Sequence, residues 1–255
     1  MPTILDGWAQ KPFQPTNPTY DRIGSKRRFG VELEYDEICD DYYSLEDKTV
    51  FGAKEDCSVG AGEFDSPILF GDQGLEAVDK FCGLAKDNDF EATLGAGYHL
   101  HLDMTNETID GVKRIALAYH YTNSFWLGTV PRRRRSFTYS QPHHWQRNDV
   151  LRHQSLADFN SWARQDRYQW VNVSAYTSKK TFEIRCHEST IEAFPVTSWA
   201  IAHTRFCDAM SEMKVGRITR IFGAKKPTEL RREIAAVIKH AEVSEHLQRR
   251  YNQYN

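Results

Sequence analysis

The chain has 255 residues, 40% hydrophobic and 27% charged, with a formal net charge of −2. That length can bury a sizeable core in one large domain or two small ones, and the composition is that of an ordinary soluble globular protein. The charge balance gives no global attraction to nucleic acid or an anionic membrane, and no segment is apolar for long enough to span a bilayer. The five cysteines (Cys39, Cys57, Cys82, Cys186, Cys207) are odd in number and form no CxxC pair, which fits a reduced, cytoplasmic protein better than a disulfide framework. The first residues carry neither a basic region nor an apolar run of the targeting kind.

Residues 1–27, rich in Pro, Thr and Asn with Trp8, Phe13 and Tyr20 interleaved, are expected to form an irregular arm packed on the body through its aromatics. The first strand follows. In Phe29-Gly30-Val31-Glu32-Leu33-Glu34-Tyr35-Asp36 the apolar residues Phe29, Val31, Leu33 and Tyr35 alternate with Glu32, Glu34 and Asp36. Period two places the two sets on opposite faces of a half-buried strand. An acidic loop is expected over 39–48, strand material over 49–53 and 62–69, and a turn between them. Apolar residues at Leu75, Val78, Phe81 and Ala85 predict a helix over 72–87 with Asp72 as its N-cap.

The alternation returns in Tyr98-His99-Leu100-His101-Leu102-Asp103, now with two imidazoles and a carboxylate on one face. A helix is predicted over 108–128 and a long basic, aromatic loop with room for short helical turns over 131–161, of a length that usually signals function. A strand over 168–176 and a third alternating strand, Thr181-Phe182-Glu183-Ile184-Arg185-Cys186-His187, predict a hairpin about Thr177, Ser178 and Lys179. Helices are predicted over 195–213 and 228–250. Strands and helices mix without a βαβ rhythm, so the expected class is α+β with a largely antiparallel sheet.

Antiparallel sheets often solvate one face, which also produces alternation. Here, however, the polar positions are almost all groups that bind a hard cation, ligate a metal or fork onto a phosphate. Glu32 and Glu34 project roughly 7 Å apart from one strand face. With Glu63 and Glu183 they form an oxygen-rich set suited to Mg²⁺ or Mn²⁺. Glu183 and Arg185 share a face, either to hold a metal and a phosphate together or as a plain ion pair. Two other readings stay open. His99, His101 and Asp103 are also how many metal-dependent hydrolases begin, and Arg132, Arg133, Arg134 and Arg135 would suit a nucleic-acid-binding module. The run lacks any accompanying nucleic-acid motif, so no nucleic-acid partner is expected.

Taken in order, these motifs resemble the amidoligase family of the glutamine synthetase and glutamate–cysteine ligase superfamily. The matching pieces are Phe29-Gly30-Val31-Glu32-Leu33-Glu34, Lys54-Glu55-Asp56-Cys57-Ser58, Gly62-Glu63-Phe64-Asp65-Ser66-Pro67, Gly97-Tyr98-His99-Leu100-His101-Leu102-Asp103, the four arginines, the segment with Asn172, and Thr181-Phe182-Glu183-Ile184-Arg185. The resemblance covers about residues 28–199. It implies a curved, mostly antiparallel sheet of the glutamine synthetase catalytic-domain type with flanking helices. Along the chain the expected organisation is a catalytic domain over 28–215 with a C-terminal helical extension over 216–255 packed on it.

The implied activity is an ATP- and Mg²⁺-dependent (or Mn²⁺-dependent) ligase that converts a carboxylate to an acyl phosphate and joins it to an amine. The carboxylate would be small-molecule, peptide or protein-borne. Carried over by position, Glu32, Glu34, Glu63, His99, His101 and Glu183 are the implied metal ligands. Arg185, Glu63 and Asp56 are the implied catalytic residues, and Arg132, Arg133, Arg134, Arg135 and Arg185 are implied to meet the phosphates of ATP. The family's Asp-Gly-Ser turn reads Asp56-Cys57-Ser58 here, which removes the residue that most easily takes a positive φ.

Overall fold

The computed structural model describes residues 13–35, 44–54, 62–92, 95–164 and 167–255. The chain divides into two compact units, Met1–Leu102 with His187–Ile201, and Asp103–Cys186 with Ala202–Asn255. Both mix helices with antiparallel strands, as an α+β reading predicts.

The first unit contains β1 (Phe29–Tyr35), α1 (Ser44–Lys48), β2 (Gly52–Lys54), β3 (Gly62–Asp65), α2 (Gly71–Asp87) and β4 (Gly97–Asp103, whose last residue crosses the boundary). Its strands lie in the order β2-β3-β1-β4, with β1 antiparallel to both neighbours. The expected strand over 62–69 is shorter, because Pro67 has no N–H to continue a ladder. Ser66 closes the gap: its N–H donates to Val31 O and its Oγ accepts from Val31 N, both at 2.8 Å.

The apolar face of β1 and its neighbours is capped by aromatic packing around Phe81 of α2. Phe51 stacks on Phe81 at 4.2 Å between centroids, Phe64 lies at 5.1 Å, and Tyr35 meets Phe90 edge-on at 5.4 Å. Val31, Leu33, Tyr35, Phe64, Tyr98 and Leu100 are fully buried. One face of the sheet is thus committed to the core, which fixes the direction of every alternate side chain.

Asp72 does not cap α2. The helix begins one residue earlier, at Gly71, after Phe70. Asp72 instead ties down the arm, accepting hydrogen bonds from Thr19 Oγ1 (2.9 Å), Asp21 N (2.8 Å) and Ile23 N (2.8 Å). Burial opposes its charge, but these donors outweigh it and hold the carboxyl below its ordinary range. Gly71 sits at φ +66°, and a Cβ there would stand 2.7 Å from Thr19 O, so only glycine fits where the arm crosses. Phe13 packs edge-on against Phe70 at 5.5 Å, whereas Trp8 lies outside the described residues.

The second unit contains α3 (Ile109–Gly128), a 3-10 turn (Arg132–Ser136), α4 (Arg147–Leu151), α5 (Leu156–Ala163), β5 (Val171–Asn172), α6 (Ala175–Ser178), β6 (Thr181–Glu188), α7 (Ala193–Glu212), α8 (Val215–Phe222), α9 (Pro227–Ile238) and α10 (Ala241–Tyr254). β6 and α7 run along the chain from one unit into the other. Thr108 caps α3 by accepting from Gly111 N at 3.1 Å. α3 packs against α8, α9 and α10.

The long loop over 131–161 carries its short helical turns as the 3-10 turn and two short helices. Two expectations are corrected here. The hairpin over 168–187 shrinks to Val171 and Asn172, paired with Ile184 and Glu183, with α6 where a tight turn was expected. Asn172 Oδ1 accepts from Ser174 N at 3.0 Å and so bends the chain out of the strand. The single helix over 228–250 is broken at Lys239, which takes φ 52°. Arg205 Nη1 donates to the carbonyls of Ile238 (3.2 Å) and Lys239 (3.0 Å), satisfying groups that the break exposes.

Candidate functional site

The polar face of β1 and its neighbours carries a cluster built by register. Glu32 stands opposite His99 on β4 and Asp65 on β3, and Glu34 stands opposite Glu63. Glu63 and Asp65, two residues apart, share a face for the same reason as Glu32 and Glu34. His99 Nδ1 donates to Glu32 Oε2 at 2.8 Å, and its Nε2 lies 3.5 Å from Glu34 Oε1. His101 Nε2 lies 3.2 Å from Glu32 Oε1. Gly97 N donates to Glu34 Oε2 at 2.5 Å. Ligand atoms of Glu32, Glu63 and His99 lie within 4.8 Å of one another.

Four carboxylates in this cluster are nearly removed from water: Glu32 is 6% exposed, Glu34 7%, Glu63 4% and Asp65 2%. Burial works against the Glu32 anion, yet the charges and hydrogen bonds of His101 and His99 prevail and hold its carboxyl well below the usual range. The donor set, oxygens with two imidazoles and no thiolate, is that of a hard divalent cation.

A second constellation lies in the second unit. Glu183 and Arg185 form an ion pair through Oε1 and Nη1, with both side chains buried. Glu183 Oε2 accepts from Asn172 Nδ2 at 2.6 Å, and Arg185 Nε donates to Tyr139 O at 2.9 Å. Here each charge is held by a partner of opposite sign or by a backbone dipole. That fixes the guanidinium in one orientation.

The four arginines separate by role. Arg134 is buried, donating from Nη2 to Arg185 O at 3.0 Å with its guanidinium 5.0 Å from the centre of the Phe137 ring. Arg135 staples the C-terminus, donating to Val130 O (3.2 Å), Tyr254 O (2.9 Å) and Asn255 Oδ1 (3.1 Å). Arg132 is exposed and Arg133 half-buried. Asp103, the acid of the hydrolase reading, accepts from Thr105 N at 2.8 Å and from Thr105 Oγ1 at 2.5 Å. His187, expected on the polar face of its strand, packs against Trp199 (4.8 Å) and Tyr98 (5.5 Å), with Nδ1 donating to Glu188 O at 2.6 Å. Asp56 lies outside the described residues. Asp65 joins this face beyond the expected ligands, and its sequence signal is its place two residues after Glu63.

A family model described as "Putative amidoligase enzyme" matches residues 38–211, about two thirds of the chain. The chain belongs to this amidoligase family. Glu63, His99, His101, Glu183 and Arg185 fall within the matched segment of this amidoligase, whereas Glu32 and Glu34 precede it. No curated protein matches the sequence. Among the described residues, no helix is long and apolar enough to cross a membrane.

Proposed function

We propose that this amidoligase is an ATP- and Mg²⁺-dependent carboxylate–amine ligase of the glutamine synthetase and glutamate–cysteine ligase superfamily. The observation that carries the reading is the buried cluster in which ligand atoms of Glu32, Glu63 and His99 converge within 4.8 Å, with Glu34 and Asp65 on the same sheet face. Like charges withdrawn from water repel strongly, and a bound cation is the ordinary compensation. Metal-bound ATP supplies the phosphoryl group that activates a carboxylate, so that an amine can displace phosphate and form the amide.

The chain's own residues have separable tasks. Glu32, Glu34, Glu63 and Asp65 hold the cation with His99. His101 steadies Glu32, and the Gly97 N–H fixes Glu34. In the second unit, Glu183 and Asn172 hold Arg185 in the orientation that neutralises charge on the phosphoryl group during transfer. Arg132 and Arg133, not yet committed to backbone carbonyls as Arg134 and Arg135 are, are assigned to the remaining phosphates. The free cysteines Cys82, Cys186 and Cys207 are buried, which supports a cytoplasmic setting.

Calorimetric titration with a non-hydrolysable ATP analogue tests the assignment. Binding should require Mg²⁺, vanish in EDTA, and be lost in Glu34→Gln and Arg185→Ala. Equal binding by parent and both variants, or none by the parent with any divalent metal, would overturn it.

A further inference from the structure

The second unit holds a cavity of about 160 Å³ that none of the carboxylate and arginine residues above lines. Its walls include the indoles of Trp145 and Trp162, which meet edge-on at 5.9 Å between centroids. Ala163 and Val173 add apolar surface. A cavity of roughly 150 Å³ accommodates benzene, and alanine has as many heavy atoms as benzene. The space therefore suits a very small organic molecule.

The polar groups say which kind. Gln169 is 5% exposed and lines the cavity. Trp145 Nε1 donates to Gln169 Oε1. An indole N–H can only donate, so the amide oxygen is identified and the NH₂ points elsewhere. That NH₂ makes no hydrogen bond to a described residue and is not sealed from solvent, so it is available to donate to a guest.

Two further lining residues, Asp149 and Arg152, are opposite charges three positions apart, the spacing that brings helical side chains to one face. Neither makes an ion pair with another described residue, and Asp149 Oδ2 accepts only from Gln146 N, at 2.8 Å. Arg152 offers a forked donor for a carboxylate, and Asp149 an acceptor for an ammonium. We propose that this cavity binds a small free α-amino acid. Its carboxylate meets Arg152 and the Gln169 amide, its ammonium meets Asp149, and its short side chain lies against the two indoles. This inference does not rest on the ligase reading.

The test is calorimetry and thermal melting of the full chain with alanine, propionate, ethylamine and phenylalanine at neutral pH. Alanine should bind and raise the melting temperature. Propionate and ethylamine, each lacking one charge, should bind about tenfold weaker or less, the size of a lost charge-assisted hydrogen bond. Phenylalanine should not bind. Exposed Arg152→Gln should fold normally and weaken alanine about tenfold, and Gln169→Met should do likewise if it folds. Four results would overturn the proposal: no response to millimolar alanine, propionate binding as well as alanine, phenylalanine binding as well as alanine, or Arg152→Gln binding alanine like the parent.

Discussion

The two charged constellations of this amidoligase differ in how their charge is balanced. In the second unit, Glu183 answers Arg185, and Asn172 and Tyr139 O complete the set. In the first, Glu32, Glu34, Glu63 and Asp65 share a buried face with His99 and His101, so carboxylate is set beside carboxylate. A paired charge can stand alone as a rigid fixture, whereas a carboxylate and imidazole cluster is a donor set for a hard cation, which is where the proposed reading puts the metal.

The contrast predicts mutations of opposite sign. Glu63→Gln should cost roughly 100-fold or more in affinity for Mn²⁺, as loss of a metal-site group does. The same variant should raise the melting temperature of the metal-free protein by relieving repulsion. Glu183→Gln should instead destabilise with or without metal, by about 3–5 kcal/mol in urea unfolding, because it strands a buried guanidinium. Equal behaviour of the two variants would erase the distinction.

Asp72 sharpens it as a third case, a buried carboxylate balanced by neutral donors alone. Asp72→Ala should cost about 3 kcal/mol through three lost hydrogen bonds to an anion, and metal should not change that loss. Since its folded pKa is lowered, its contribution is complete above the unfolded value of 3.8 and fades as pH falls through the folded one.

His143 supplies the reverse case, a base kept neutral. Burial first, then the charges of His120 and His144, lower its pKa from 6.5 to about 3. It lies against Trp145 at 4.2 Å between centroids. The unfolded chain takes up this proton near pH 6.5 and the folded chain only near 3. Stability should therefore decline as pH falls between those values. His143→Phe should flatten that part of the profile, the smallest effect of the set.

Much of the first unit could be read from period two. The alternation in 29–36 and 98–103 named the buried face and the ligand face before any strand was paired. It did not give register, and register is what sets Glu32 against both His99 and Asp65. Asp72 was read as a cap because local spacing cannot reveal that Thr19, Asp21 and Ile23 fold back onto it. The break at Lys239 was equally hidden, since apolar residues continue at helical spacing on both sides. It depends on Arg205, more than thirty positions away, reaching the exposed carbonyls. The four arginines looked alike as a run, and only tertiary contacts separate Arg134 and Arg135, bound to carbonyls, from Arg132 and Arg133.

The most direct test of the central claim is a titration of Mn²⁺ into metal-free protein followed by electron paramagnetic resonance. The account predicts that the parent quenches the free-ion signal stoichiometrically, that Mg²⁺ restores it, and that Glu63→Gln quenches none of it. An undiminished signal from the parent, or equal quenching by Glu63→Gln, would contradict the assignment of the cation to this cluster.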